Sequence, residues 1–469
     1  MKNKSVSLVL LLSVFVVIAG VIFLKNYESE TLVEAKWNEK EDELLAISIE
    51  GEEVSSFPTT KNYTASVTCT KGSGTASWNG SKWVFNATGI NQAKAKCNIN
   101  FEIISTWDTP KAGTLLAAIK RDNTVTSTLT TPGSQASLAR EAVLASAVDD
   151  YGTSYYFRGA VKNNFVEYAN MCWRIVRVLG DSTIRLVLYN YNGLRDNNED
   201  PWSDTPCNVS STRYAYARYS GETYKSAFNT NYNRNAYVGF MYGNATGSTY
   251  ALTHANTNKS LILTNLETWY ANVLSKQSGF SVNQLVDAVW CNDKTVVTGT
   301  IGGRTYDGNG ASGNTSAYGS SKRIMASNLA AGGTGPTFKC PTNNNNLSRF
   351  TVSNSDGNKL LRYPIGLLTV DEIAYAGSIY GNSTSGVTDL SDRNIYLMDN
   401  AADGFRSMTP YDYNGLMAIV FTVDGKGVLN IDAVNSANQG LRPAITVVNT
   451  VYTNGGDGTA TNPYKLYFK

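Results

Sequence analysis

The chain has 469 residues, of which 42% are hydrophobic and 11% aromatic, enough to bury the cores of two or three domains and too apolar for a disordered protein. Lys and Arg together exceed Asp and Glu by a formal charge of only +2 and are scattered along the sequence, so no basic stripe favours nucleic acid. The single imidazole, His254 in "ALTHANT", excludes multi-histidine metal centres and leaves one candidate for base chemistry near neutral pH; its surroundings read as a polar loop.

"MKNK" leads into an apolar run from Ser5 to Leu24, long enough to cross a hydrocarbon core of roughly 30 Å as a helix. No A-x-A-like cleavage site and no cysteine for lipid attachment follows directly, so residues 1–27 are expected to be a retained signal anchor. Lys2 and Lys4 precede the run, and Glu28, Glu30 and Glu34 follow it. The positive-inside bias then puts the N-terminus in the cytoplasm and the remaining domains outside, on a single-pass cell-membrane protein. Residues 28–54 are acidic with little apolar periodicity and read as a solvated stalk.

Six cysteines in an exported chain suggest disulfides. In order they are Cys69, Cys97, Cys172, Cys207, Cys291 and Cys340; pairing of nearest neighbours is the economical choice among the alternatives that sequence leaves open. The first two frame a small module over 55–106, where "YTASVTCT", "ASWNGSKWVFNATGI" and "AKAKCNINFEI" alternate apolar and polar residues between turns. Trp78 and Trp83 flank its "NGSK" turn, and a sandwich-like spacer is expected. Residues 107–150 contain "AGTLLAAIKRD" and "SQASLAREAVLASAVDD", which have helix-forming composition and read as a helical connector.

The long remainder, 151–469, opens as a meander of strands in "NNFVEY", "CWRIVRVL" and "IRLVLYN". Arg174, Arg177 and Arg185 fall on these strands, where cross-strand ion pairing or the holding of carboxylates would occupy them. "LTNLETWYANVLS" reads as a helix with Thr264 and Glu267 as a capping box, and "SVNQLVDAVWC" as a second short helix. The glycine-rich "TGTIGGRTYDGNGASGNTSAYGSS" lacks both the P-loop lysine step and the glutamate of a calcium loop, so no cofactor and no metal is expected. In "NQGLRPAITVV", Pro443 suits the first residue of a strand, Arg442 is read as a structural arginine at its entry, and the following "NTVYTNGGDGTATNPYKLYF" as a closing hairpin.

"WCND", "TFKCP", "RYPIGLLTVDEIAYAG", "FRSMTPYDYNG" and "GLRPAITVVN", in this order, resemble a family of membrane-anchored surface proteins of Gram-positive-type bacteria. The C-terminal region of that family is similar to C-type-lectin-like domains, the broad fold that also carries formylglycine-generating enzymes. The resemblance covers about residues 155–469 and implies that Gly440, Arg442 and Pro443 open a late core strand. The chain departs from the pattern at "GFRSMTP", which has Phe405 and Arg406 in place of a tryptophan step. Its last cysteine is Cys340, so the reactive late cysteine pair of an oxidase is missing from the sequence. The expected class is therefore α+β and β-dominated: an N-terminal membrane helix, a small disulfide-bonded β-sandwich-like spacer and a large C-type-lectin-like domain.

The function read from these features is cell-surface recognition or adhesion without catalysis, the partner being an extracellular glycan or protein. Tyr supplies contact area and Asn, Ser and Gly adaptable hydrogen bonds in the loop-rich domain. Arg406, Tyr411, Asp412 and Tyr413 are the candidate ligand-binding residues, combining aromatic area with charge. The alternatives are a purely structural envelope protein and an envelope-remodelling enzyme, for which Asp371 and Glu372 in "TVDEIAYAG" would be the carboxylate pair.

Overall fold

The computed structural model describes residues 45–89, 95–126, 141–190, 207, 215–306, 308–325, 335–342, 346–380, 395–398, 403–425 and 427–467. The apolar run that suggested an anchor lies outside them. Among the described residues no helix is long and apolar enough to cross a membrane. They form two compact units, the first running to Ser105 and including Thr109–Lys111, the second comprising Thr106–Asp108 and Ala112–Lys469.

The first unit is a β-sandwich-like module. Strands β1 (Leu45–Ile49), β2 (Tyr63–Cys69), β3 (Ser73–Trp78), β4 (Trp83–Thr88) and β5 (Cys97–Ile103) build it, together with a two-residue edge at Glu52–Glu53. In "LAISI" the apolar residues alternate, and Ile47 points into a core with Trp83, Phe85, Ile99 and Phe101. β1 pairs in parallel with β5, which also pairs antiparallel with β2. The β3–β4 hairpin faces this sheet, and Gly74 has no Cβ because one would meet the Phe85 ring at 2.6 Å. Residues 45–49 and 52–53 are thus strand and not stalk, because burial of Leu45, Ile47 and Ile49 overrides the acidic flanks.

The second unit holds a nine-stranded and a five-stranded sheet. It starts with α1 (Leu115–Asp122), capped by Thr114, whose hydroxyl accepts from the Ala117 N–H; Leu115, Leu116 and Ile119 are buried. The larger sheet contains β6 (Ala142–Val148), β7 (Thr153–Gly159), β8 (Phe165–Tyr168), β9 (Met171–Val178) and β10 (Ile184–Asn190). The helical connector is corrected here: α1 forms, but residues 142–148 pair along their whole length with β7. Ladder hydrogen bonds outweigh the modest helix preference of Ala and Leu. β9 and β10 are buried at every position, so the arginines they carry must find partners inside the fold.

Helix α2 (Leu261–Asn272) packs its Ile262, Leu263, Leu266 and Trp269 into the core. It begins four residues earlier than the Thr264 cap predicts, because Ser260 accepts from the Leu263 N–H; Thr264 instead donates to the Ser260 carbonyl. "SVNQLVDAVWC" contributes a single 3-10 turn at Val282–Gln284. The five-stranded sheet runs Val296–Val297, β11 (Ser316–Tyr318), β12 (Phe405–Tyr413), β13 (Ala418–Val423), β14 (Leu429–Ala433). Two short helices, α3 (Gly319–Met325) and α4 (Val370–Tyr375), are the elements that matter for the site.

β15 (Ala444–Val447) lies between β10 and the short strand Ile365–Gly366 in the larger sheet. Tyr452–Thr453 pairs with β16 (Tyr464–Tyr467) as the closing hairpin. Pro443 directly precedes β15, and its carbonyl accepts from the Leu188 N–H. Arg442 is buried; its Nε donates to the Leu188 carbonyl at 2.9 Å, its Nη1 to the Leu397 carbonyl, and its guanidinium lies 4.9 Å from the Phe405 ring centre. Gly440 leaves room for the Tyr216 ring, which a Cβ would meet at 2.0 Å.

The three disulfides are Cys69–Cys97, Cys172–Cys207 and Cys291–Cys340. Each stabilises the fold by about 2–4 kcal/mol through the unfolded chain it constrains. Replacing Arg442 with Ala leaves buried carbonyls without their donor, so unfolding in urea followed by tryptophan fluorescence should show a loss of about 2–4 kcal/mol. A loss under about 0.5 kcal/mol, the size of a neutral surface change, would contradict that placement.

Candidate functional site

The second unit has a recess floored by β9 and β10 and walled by α3, α4 and the segment Thr337–Cys340. Arg177 and Arg185, on neighbouring antiparallel strands, point from the floor. Between them sits Glu372 in the first turn of α4. Its Oε1 accepts from Arg177 Nε at 3.1 Å and Arg185 Nη1 at 3.2 Å. Its Oε2 accepts from the Thr369 N–H at 3.0 Å and the Thr369 hydroxyl at 3.4 Å, while the Glu372 N–H donates back to that hydroxyl. This capping box fixes the carboxylate that the two guanidiniums require.

Two further carboxylates are held in the same manner. Asp149 Oδ2 accepts from Arg177 Nη1 at 2.8 Å and the Gly180 N–H at 2.9 Å, and its Oδ1 accepts from the Tyr151 and Gly152 N–H groups. Asp371 Oδ1 accepts from Arg323 Nε and the Thr337 N–H, both at 3.0 Å. Its Oδ2 accepts from Arg323 Nη2 at 3.0 Å and the Ser320 hydroxyl at 3.5 Å. Arg323 also donates Nη1 to Asp293 at 2.9 Å, and Arg349 holds Asp150 at 2.8 Å. Asp149, Asp371 and Glu372 therefore each receive four donors, which fills the lone pairs of a carboxylate.

Electrostatics follow from this geometry. Burial pushes the Glu372 carboxyl up, but Arg185, Arg177 and the Thr369 N–H outweigh it and hold it below its ordinary value. Burial brings the Arg185 guanidinium down to about 10 against the pull of Glu372, still charged at neutral pH. For Arg323 burial acts downward, and Asp371 and Asp293 more than reverse it. Arg185 lies 4.0 Å from the Trp290 ring centre and Arg177 lies 4.4 Å from that of Phe338, which itself stacks on Tyr375 at 4.0 Å. The Cys291–Cys340 disulfide lines the recess and pins the Thr337–Cys340 segment. The recess has a cavity volume of about 30 Å³, room for about two waters or one small polar group.

The candidates named from sequence lie elsewhere. Arg406, Tyr411, Asp412 and Tyr413 stand on β12, a strand buried at every position, and not on exposed loops. Arg406 donates to the Ser226 carbonyl at 3.0 Å and to Asp432 at 3.4 Å. Tyr411 packs edge-on against Phe421, and the Tyr413 hydroxyl lies 3.0 Å from the Asn233 and Gly415 carbonyls. Asp412 accepts from the Tyr306 hydroxyl, while its other oxygen is buried without a partner among the described residues. None of the four lines the recess. His254 is likewise fully buried at a helix end and not in a polar loop; burial, then the nearby Lys294, push its imidazole down to about 3, so it is neutral at pH 7.

The recess does bring together residues the sequence pointed to for other reasons: Arg177, Arg185, Asp371 and Glu372. Asp149, Asp293, Ser320 and Arg323 carry no such signal in the sequence. The turn signal "DDYG" marks Asp149 as a loop residue, but nothing near it in sequence shows that a strand arginine will reach it. Comparison of the chain with protein-family models, curated proteins and solved structures gives no match.

Asp412 supplies a pH test of the buried β12 environment. Burial raises its carboxyl to about 6, above its unfolded value, so the native state binds the extra proton and stability falls as pH rises from about 4 through 6. Asp412→Asn should raise stability by about 1–3 kcal/mol at pH 8 and leave it unchanged or lower near pH 4. Equal effects at both pH values in urea unfolding would contradict this.

Proposed function

We propose that this chain is a membrane-held cell-surface recognition protein whose C-terminal unit binds the polar end of an extracellular glycan or protein ligand and performs no chemistry on it. The observation that carries the reading is the saturation of Asp149, Asp371 and Glu372 by four donors each. A general base needs a lone pair open to the proton it takes, and a general acid a carboxyl that is protonated near the working pH. Glu372 is held in its ionised form, and Asp371 beside it is occupied by Arg323, Thr337 and Ser320. The pair that an envelope-remodelling enzyme would use is thereby engaged in structure.

What remains is a small polar recess set by rigid elements, the arrangement that favours binding through preorganisation. Three disulfides suit the oxidising outer face of a membrane, the side to which the charge bias around residues 5–24 would deliver the folded units. The C-type-lectin-like resemblance supports the same reading, since it implies ligand-facing loops.

The full chain, purified in detergent, should be retained saturably on purified cell wall or on members of a glycan and peptide panel. The retained ligand should show an unchanged mass after prolonged incubation. Release of cleaved fragments would establish the enzymatic alternative, and absence of retention across cell wall, glycans and peptides would leave the purely structural one.

A further inference from the structure

We propose that the recess is a carboxylate-binding site, in which Arg177 Nη2 receives the anion and Lys339 guards the mouth; the proposal rests on the recognition reading above and specifies its ligand. The argument is a count of hydrogen-bonding capacity. With their four donors apiece, Asp149, Asp371 and Glu372 have no acceptor position left to offer an incoming group; the other two carboxylates of the lining are engaged more sparsely, Asp293 by Arg323 and the Thr295 N–H and Asp150 by Arg349 and the Cys340 N–H. Donors, by contrast, are left over. Arg177 uses Nε on Glu372 and Nη1 on Asp149 and Ser154, and its Nη2 makes no hydrogen bond among the described residues. Arg177 is 94% buried, its relative exposure being 6%, yet it lines the recess, so this amino group has the cavity as its outlet.

Two hydroxyls on the wall are in the same position. Thr409 Oγ1 accepts from the Val370 N–H and Thr337 Oγ1 accepts from the Lys339 N–H, and neither hydroxyl proton has a protein acceptor among the described residues. At the mouth Lys339 is exposed, and its ammonium makes no ion pair among the described residues. Free donors flanked by an arginine and a lysine are complementary to an oxyanion, and each of the five carboxylates on the lining is ion-paired with at least one of four guanidiniums, Arg177, Arg185, Arg323 and Arg349, the exposed Lys339 adding a fifth cation.

Size selects among oxyanions. Room for about two waters matches the two oxygens of a carboxylate and is short of what a whole sugar ring or a side chain beyond the carboxylate would need. Phe338, stacked over the Arg177 guanidinium, forms an apolar flank on which the carbon bearing the carboxylate can rest. The rest of the ligand must stay outside, so the chemical class is a terminal carboxylate on a larger molecule: the C-terminus of a peptide or the acid group of a sugar acid.

Isothermal titration of the full chain in detergent, at low ionic strength and pH 7.5, tests this with acetate, with its neutral isostere acetamide and with methylammonium. Acetate should bind with a Kd on the order of 1 mM, given its few heavy atoms. Acetamide should bind at least about tenfold more weakly, methylammonium should not bind, and added salt should weaken acetate. Lys339→Gln, which removes an exposed cation and no packing, should weaken acetate about three- to tenfold with an unchanged melting temperature. Arg177→Lys, which keeps the charge and removes Nη2, should abolish acetate binding if the variant folds; Lys339→Gln decides if it does not. A peptide with a free C-terminus compared with its amide, and glucuronate compared with glucose, identify which source is preferred. Equal binding of acetate and acetamide, binding of methylammonium, or no effect of Lys339→Gln would overturn the assignment. A neutral ligand retained undiminished in excess acetate would sink the carboxylate site and leave the recognition reading standing, whereas a chemically altered ligand would sink that reading and leave acetate binding intact.

Discussion

Glu372 sits between two buried guanidiniums, and the architecture of the second unit follows from the need to keep all three charges in place. β9 and β10 are covered on both faces, so Arg177 and Arg185 have almost no access to water. A lone buried guanidinium costs several kcal/mol, and two on adjacent strands repel. Glu372, in the first turn of α4, bridges the two, and Asp149 supplies the second negative charge through Arg177. The capping box orients the Glu372 carboxylate, and the Val370 N–H is tied to β12 through the Thr409 hydroxyl. The contact therefore couples the larger sheet, the short helix and the smaller sheet in one place.

That coupling also explains why the site is a recess and not a packed core. Side chains as polar as Asp149, Asp371 and Arg323 cannot close against each other without leaving hydrogen-bond capacity unused. The chain resolves most of it internally, through turns that present backbone N–H groups at Gly152, Gly180 and Thr337. The residual capacity around Arg177 is its own Nη2 and the hydroxyl protons of Thr409 and Thr337. The Cys291–Cys340 disulfide and the Phe338–Tyr375 stack hold the outer wall, so the geometry is set before a ligand arrives.

Much of the framework is legible in the sequence. The meander over 165–190, the "NGSK" hairpin with Trp78 opposite Trp83, the closing hairpin and α1 are written in local periodicity and turn residues. β12 was not legible because Pro410, Asp412 and the Gly415 turn look like loop chemistry; the strand accommodates Pro410 at an irregularity in its pairing with β13. The site was half legible. Arg177, Arg185 and Glu372 could be singled out, but they meet across sequence separations of 195 and 187 residues, and Arg323 meets Asp371 across 48. Periodicity reports which face of an element is buried and not which distant element will cover it, so such partners become visible only in three dimensions.

The pH dependence of unfolding in the Glu372→Gln protein tests the central role of this carboxylate most directly. The native pKa of Glu372 lies below its ordinary 4.5, so its contribution is present above that value and disappears as pH falls through the lower native one. Urea unfolding of the parent chain and the variant should differ by about 3–5 kcal/mol at pH 7, with the gap shrinking below about pH 4.5. Two parallel stability profiles, or no difference at pH 7, would contradict the account.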